Sequence, residues 1–162
     1  MDNGFILWFR GLSGSGKTSV ASKVYDILKS KNKYVEFIDD SQVESRLKTG
    51  LTARRDDVSS YIKRLGWIAQ LLSRNGVIVL IASDTPLNAP LAEVREEGTD
   101  LIEVYLNCSE ESSAKRSADK KEEEAVEDQA VFEQPDKADI VLDTDKLSID
   151  QCVEKVIDFI TK

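Results

Sequence analysis

Five short, mostly apolar runs alternate along the chain with longer segments of mixed polarity. The runs cover residues 5–9, 34–38, 77–81, 101–106 and 140–142. Apolar runs of this length predict strands that are buried on both faces, as in a parallel sheet. The chain therefore predicts five strands, and the third, rich in β-branched residues, is expected to be central.

Between these runs, apolar residues recur at the three- and four-residue intervals of amphipathic helices. One helix is expected directly after the first strand, and the last helix is expected to begin after a Ser148 N-cap. A charged connection over residues 52–57 leads into a long helix over residues 58–73, which Asn75-Gly76 should end as a left-handed cap. Three shorter helices are expected: from a Ser41 N-cap to Leu47, over residues 88–97, and from a Ser109 N-cap to Arg116.

Strands that alternate with helices imply a parallel sheet with helices on both faces, which is a three-layer α/β sandwich. Ligands of such sheets bind beyond the carboxyl ends of the strands. The residues that follow the first three strands should therefore meet at one edge. The chain shows no internal repeat or flexible linker, so its 162 residues are expected to form a single domain over residues 1–162.

The segment after the first strand reads GLSGSGKT and fits the pattern G-x-x-x-x-G-K-[ST] of the phosphate-binding loop. Backbone N–H groups of such a loop surround a phosphate, and glycines leave room for its close approach. The lysine reaches the β- and γ-phosphates and the hydroxyl residue binds Mg²⁺. This context predicts a P-loop NTPase or kinase fold. The residues expected to bind the nucleotide are Gly11, Ser13, Gly14, Ser15, Gly16, Lys17, Thr18 and Ser19.

Carboxylates follow the second and third predicted strands. Asp39 is expected either to accept the proton of an acceptor hydroxyl or to contact Mg²⁺ through water; the alternative is a helix-capping or turn residue. Asp84 is expected either to orient Mg²⁺ or to act as a turn residue before Pro86. The predicted metal site therefore comprises Thr18, Asp39 and Asp84.

Composition narrows the chemistry further. The net charge is −8, so nucleic-acid binding through a basic surface is not expected. The chain has no histidine, so any proton acceptor should be a carboxylate. Cys108 and Cys152 are expected to be reduced core residues, and Trp8 and Trp67 to be packing residues. Because no signal peptide or apolar run of about 18 residues is visible, we expect a cytoplasmic protein without a membrane partner.

Several stretches together resemble the adenylylsulfate (APS) kinase family. They are FILWFRGLSGSGKTSVA at residues 5–21, Arg64-Leu65-Gly66 in the long helix, and DIVLDTD at residues 139–145. The resemblance implies a five-stranded parallel sheet, ATP and Mg²⁺ as cofactors, and phosphorylation of a ribose 3′-hydroxyl in sulfate assimilation. It also implies a catalytic role for Lys17, Asp39 and Arg64, an adenine site between Arg116 and Thr144, and a homodimer.

The departures from the family pattern fall where the acceptor would bind. The family run D-G-D-x-x-R corresponds to residues 39–44, in which Ser41 and Glu44 replace the second acid and the arginine. Asn88 replaces another arginine, and the lid around residues 120–128 is shorter and acidic. Each lost charge-assisted contact weakens the binding of an anionic phosphosulfate by about 1.5–3 kcal/mol.

Two functions remain open at this stage. The first is an ATP-dependent kinase that phosphorylates a hydroxyl of APS or of a different nucleotide. The second is a nucleotide-binding module that has lost turnover and has a regulatory or partner-binding role. A GTPase is not favoured, because the sequence contains no Asn-Lys-x-Asp guanine signature.

Overall fold

A computed structural model describes residues 3–31, 33–116 and 126–162 of the chain. Strands and helices alternate through these ranges, as the apolar pattern predicts. In chain order they are β1 (Ile6–Gly11), α1 (Lys17–Ser30), β2 (Val35–Asp39), α2 (Asp40–Leu47), α3 (Arg55–Ser73), β3 (Ile78–Ala82), α4 (Asn88–Glu96), β4 (Leu101–Asn107), α5 (Glu110–Arg116), β5 (Ile140–Asp143) and α6 (Ile149–Ile160).

The strands form one parallel sheet in the order β2-β3-β1-β4-β5. The predicted five-stranded parallel sheet is confirmed. β1 occupies the middle and every one of its residues is buried. β3 lies between β1 and β2, and it too is buried throughout, which explains its apolar, β-branched sequence.

Two hydrophobic cores lie on opposite faces of the sheet, because side chains alternate along each strand. Leu7 and Phe9 of β1 point to the core that α1 and α6 cover, whereas Ile6 and Trp8 point to the core that α3 and α4 cover. The three-layer arrangement is therefore the predicted one. Cys108 and Cys152 are buried and unpaired, also as predicted.

Most predicted helix caps are present. Ser148 accepts a hydrogen bond from the Gln151 N–H, and Ser109 Oγ accepts one from the Ser112 N–H. Gly76 has a φ of 86°, the left-handed conformation expected after the long helix.

Three predictions are wrong in detail. The N-cap of α2 is Asp39 and not Ser41, because Asp39 forms a capping box with Gln42 as soon as β2 ends. The long helix begins at Arg55 and not at residue 58, and its first turn contains Asp57, whose carboxylate accepts two hydrogen bonds from Thr52. Trp67 is 62% exposed, since it lies on the outer face of α3.

The acidic lid expected around residues 120–128 lies mostly outside the described residues. Across residues 3–31, 33–116 and 126–162, no helix combines the length and the apolar character needed to cross a membrane.

The register of the sheet brings the predicted site residues to one edge. Ala82 at the end of β3 pairs with Phe9 of β1 on one side and with Asp39 of β2 on the other. The loop after β1, the start of α2 and the turn after β3 therefore lie side by side.

Candidate active site

A cavity of about 910 Å³ opens at the carboxyl edge of the sheet. The loop between β1 and α1 forms one wall, and the start of α2 and the turn after β3 form the other. Most of the predicted site residues line this cavity. They are Ser13, Gly14, Ser15, Gly16, Lys17, Thr18, Ser19, Asp39, Asp84, Arg116 and Thr144.

The backbone of the loop has the conformation that a phosphate cradle requires. Gly14 and Gly16 have φ values of 80° and 100°, which glycine adopts without strain. α1 begins at Lys17, so the N–H groups of its first turn, which have no acceptor within the helix, lie at the cavity. A helix N-terminus in this position favours an anion.

Two buried serine hydroxyls of the loop indicate that a phosphate suits it. The Oγ atoms of Ser13 and Ser15 are buried and have no hydrogen-bond partner within the described part of the chain. A buried hydroxyl without a partner costs about 1–3 kcal/mol and is uncommon in native proteins. Donors that face a glycine-rich cradle fit the oxygens of a nucleotide phosphate.

Lys17 presents its charge at the wall of the cavity. Its side chain is 9% exposed, and Nζ donates to the carbonyl oxygens of Gly11 and Leu12 at 3.0 and 2.9 Å. Nζ also forms an ion pair with Asp84 Oδ1 at 2.9 Å. The ammonium group is therefore held between the loop and the turn after β3. Gly11 itself does not line the cavity, but its carbonyl oxygen accepts one of these hydrogen bonds from Lys17 Nζ.

Thr18, Asp39 and Asp84 suit a magnesium ion that is shared with phosphate oxygens. Mg²⁺ is commonly held by one or two carboxylates together with substrate phosphates and water. Within the residues that the structure describes, no group of three or more acidic, histidine or cysteine side chains could hold a metal ion. Two carboxylates and a hydroxyl beside a phosphate cradle are the donor set that this mode of binding uses. Asp39 caps α2 and also lines the cavity, so both interpretations of this residue are compatible.

The second wall contains a side-chain cluster whose contacts the sequence does not indicate. Asp40 accepts a hydrogen bond from the Tyr61 hydroxyl at 2.5 Å and one from the Asp84 N–H at 3.3 Å. Burial raises the pKa of Asp40, and the nearby Lys48 charge partly offsets that effect. Lys48 Nζ lies 4.5 Å from the centre of the Tyr61 ring and 4.0 Å from the Glu44 carboxylate. Asp40, Glu44 and Lys48 line the cavity.

Arg116 and Thr144 are in direct contact. Arg116 Nη2 donates to the Thr144 carbonyl at 3.1 Å, and Nη1 lies 3.4 Å from the Gly14 carbonyl.

Arg64 lies away from the cavity. Its Nη1 donates to the Leu47 carbonyl at 3.0 Å, and the residue does not line the cavity.

A buried arginine behind the loop was also missed. Arg10 is 1% exposed, and its Nη1 contacts Glu103 at 3.0 Å and Asn88 Oδ1 at 2.7 Å. Its Nη2 donates to the Glu133 carbonyl at 3.2 Å. The Asn88 N–H in turn donates to the Glu133 carboxylate, and this bond lowers the pKa of Glu133. Asn88 therefore links β1 and α4 to the segment that precedes β5.

The sequence of the chain is similar to the sequences of known proteins. A family profile described as adenylylsulphate kinase matches residues 3–143. The adenylyl-sulfate kinase of Synechococcus sp. (strain JA-2-3B'a(2-13)) is 32% identical over 95% of this chain and 93% of its own. A probable adenylyl-sulfate kinase of Aeropyrum pernix is 30% identical over 94% and 90%. A probable bifunctional SAT/APS kinase 2 of Sorangium cellulosum is 28% identical over 96% of this chain, which spans only 28% of that longer protein.

A solved structure of an APS kinase is also similar to this chain. The Mycobacterium tuberculosis APS kinase CysC, in complex with AMPPNP and APS, superimposes with a TM-score of 0.88. The alignment covers all of both chains at 27% sequence identity.

Proposed function

Because this chain belongs to the adenylylsulphate kinase family, a family of phosphotransferases, we propose that it transfers the γ-phosphate of ATP to a hydroxyl group of a nucleotide. The ribose 3′-hydroxyl of APS is the first acceptor to test, and its phosphorylation is a step of sulfate assimilation. The observation that carries the proposal is the placement of Lys17. Its ammonium group lies between the phosphate cradle and the Asp84 carboxylate, in one cavity with Thr18 and Asp39.

In this proposal the loop binds the phosphates and the opposite wall binds the acceptor. Phosphoryl transfer depends mainly on positioning and on neutralising the charge of the transferred group. Lys17 and the N–H groups at the start of α1 supply that neutralisation. Thr18, Asp39 and Asp84 would hold Mg²⁺, which screens the phosphate charges when bound.

Asp39 is proposed to accept the proton of the acceptor hydroxyl, since the chain has no histidine. Arg116 and Thr144 are proposed to flank the adenine, because the guanidinium group is fixed by the Thr144 carbonyl and offers a flat face. Arg64 is proposed to act indirectly, by holding the end of α2 through Leu47.

A second acceptor class has support of its own. Besides Asp39 and Asp84, which are proposed to hold Mg²⁺, the acceptor wall presents the carboxylates of Asp40 and Glu44 beside the ammonium group of Lys48. A nucleotide with fewer negative charges than APS suits this wall better, since like charges repel. The nucleotide-binding module without turnover stays the alternative to both kinase proposals.

The test is acceptor-dependent release of ADP with Mg²⁺ and ATP, first with APS and then with a panel of nucleosides and nucleotides. We expect ADP release to require an acceptor, and Lys17→Ala to lower kcat by about 100-fold or more. Lys23→Ala is the matched control, because Lys23 lies exposed on the same helix and pairs with Asp150. Binding of ATP without ADP release in the presence of any acceptor would favour the module.

A further inference from the structure

The turn after β3 has an unusual backbone conformation. Thr85 has a φ of 45°, in the left-handed region that residues with a Cβ atom rarely adopt. Such a conformation persists only where surrounding contacts impose it, and it is often found next to functional groups. Here the neighbouring residue is Asp84, whose carboxylate contacts Lys17.

Two groups of contacts impose the conformation of this turn. On the core side, Trp8 Nε1 donates to Thr85 Oγ1 at 2.8 Å, and Thr85 Oγ1 donates to the Ser83 carbonyl at 3.3 Å. On the cavity side, the Asp84 N–H donates to Asp40 Oδ2 at 3.3 Å. Trp8, Ser83 and Thr85 are buried, so the core side is firmly packed.

The cavity side depends on a residue of α3. Tyr61 is 4% exposed, and its hydroxyl donates to Asp40 Oδ1 at 2.5 Å. Because Asp40 uses its other oxygen for the Asp84 N–H, the two hydrogen bonds fix the plane of the carboxylate. Tyr61, Asp40, Asp84 and Lys17 therefore form a continuous series of contacts from α3 to the phosphate-binding loop.

We propose that Tyr61 and Asp40 are positioning residues, which hold the turn after β3 so that the Asp84 carboxylate faces Lys17. The inference deepens the proposed kinase function and, for its kinetic consequences, rests on it. Tyr61 does not touch the reacting atoms in this arrangement. It acts through Asp40 on the two groups that are proposed to meet the phosphates and Mg²⁺.

The first experiment replaces the tyrosine hydroxyl alone, with Tyr61→Phe. We expect kcat at saturating Mg²⁺, ATP and acceptor to fall by about 10-fold, the loss expected for one hydrogen bond to a charged group. Any rise in the KM for ATP should stay within about 10-fold, because Tyr61 does not line the cavity and should weaken only the Mg²⁺-dependent part of ATP binding. Tyr25→Phe is the control. Tyr25 of α1 packs against Phe37 of β2 and does not line the cavity.

The second experiment asks whether the hydroxyl acts through Asp40. Asp40→Ala is expected to lower kcat at least as much as Tyr61→Phe, and the double variant should be no slower than Asp40→Ala alone. Asp40→Asn, which keeps one oxygen for the Asp84 N–H, should retain more activity than Asp40→Ala. A double variant whose loss is the product of the two single losses would overturn the proposed series.

A binding measurement separates this inference from the proposed function. Calorimetry gives the ATP dissociation constant with a chelator and with Mg²⁺. The first constant divided by the second is the ratio that reports how well the metal ligands are placed. Tyr61→Phe should reduce the ratio by about 3- to 10-fold, and Tyr25→Phe should leave it unchanged. If no acceptor stimulates ADP release, the proposed function fails and this ratio still decides the inference. An unchanged ratio in Tyr61→Phe would refute the positioning role.

Discussion

Helix α3 packs against α4 at Gly66, and replacing this glycine with alanine is expected to destabilise the fold. A Cβ atom at position 66 would lie 2.4 and 2.8 Å from the two methyl groups of Val94, and 3.2 Å from its Cβ. Valine is β-branched and stiff at χ1, so rotation about χ1 does not clear the space. The helices would have to move apart.

Two effects of opposite sign determine the magnitude. Alanine favours a helix over glycine by about 1 kcal/mol. Overpacking a tight core costs about 1–3 kcal/mol, and contacts as short as these place Gly66→Ala at the upper end. The net loss is therefore about 1–2 kcal/mol, which lowers Tm by about 2–8 °C for a chain of this size.

Urea unfolding and calorimetry of Gly66→Ala, Val94→Ala and the double variant test this explanation. Val94→Ala alone should cost about 2 kcal/mol, because it removes buried methyl groups. In that background Gly66→Ala should be neutral or stabilising, which gives a coupling energy of about 1 kcal/mol or more. A higher Tm for Gly66→Ala in the otherwise unchanged protein would refute the close packing of α3 and α4.

Two further predictions concern charged groups. Glu103→Gln should destabilise the protein by about 3–5 kcal/mol in urea unfolding, because it leaves the buried Arg10 charge without its ionic partner. Asp150→Asn, which breaks an exposed ion pair with Lys23, should cost about 1 kcal/mol or less, and equal losses in the two variants would contradict the burial argument. The pKa of Glu133 is lowered, chiefly by its bond from a backbone N–H, so its stabilising contribution is present above the ordinary pKa of 4.5 and is lost as the pH falls below it. Glu133→Gln should therefore be less stable than the unchanged protein at pH 7, by about 1 kcal/mol, and the gap should narrow as the pH falls below 4.5; a gap independent of pH would contradict the assignment.

The nucleotide half of the cavity was predictable because its signal is local. Residues 11–19 are contiguous, and the motif itself fixes the positions of Gly11, Gly16, Lys17 and Thr18. The strands were predictable for a related reason, since a strand buried on both faces requires an uninterrupted apolar run.

The start of α2 was less predictable because neighbouring residues offer equivalent caps. Asp39 with Gln42 and Ser41 with Glu44 both have the spacing of a capping box, and only the end of β2 decides between them. Trp67 follows Gly66 on α3, and its apolar character gave no indication that its side chain faces outward.

The contacts of the second wall and of the arginine behind the loop were not predictable, because they join distant parts of the chain. Tyr61 has the spacing of an ordinary core residue of α3, and nothing in the sequence indicates that its hydroxyl contacts Asp40. Arg10 lies in a strand whose other residues are mostly apolar, and its partners come from three later segments of the chain.

The hydrogen bond between Tyr61 and Asp40 also constrains the order in which these two residues could have been acquired during the divergence of this enzyme from its relatives. In the family run D-G-D-x-x-R that residues 39–44 resemble, glycine occupies the position of Asp40. Acquiring the carboxylate first would bury a charge lacking its hydroxyl donor, at a cost of about 1–3 kcal/mol. Chimaeras that exchange acceptor preference between this protein and its relatives should therefore exchange residues 40 and 61 together. Ancestral reconstructions should likewise change the two residues at the same step.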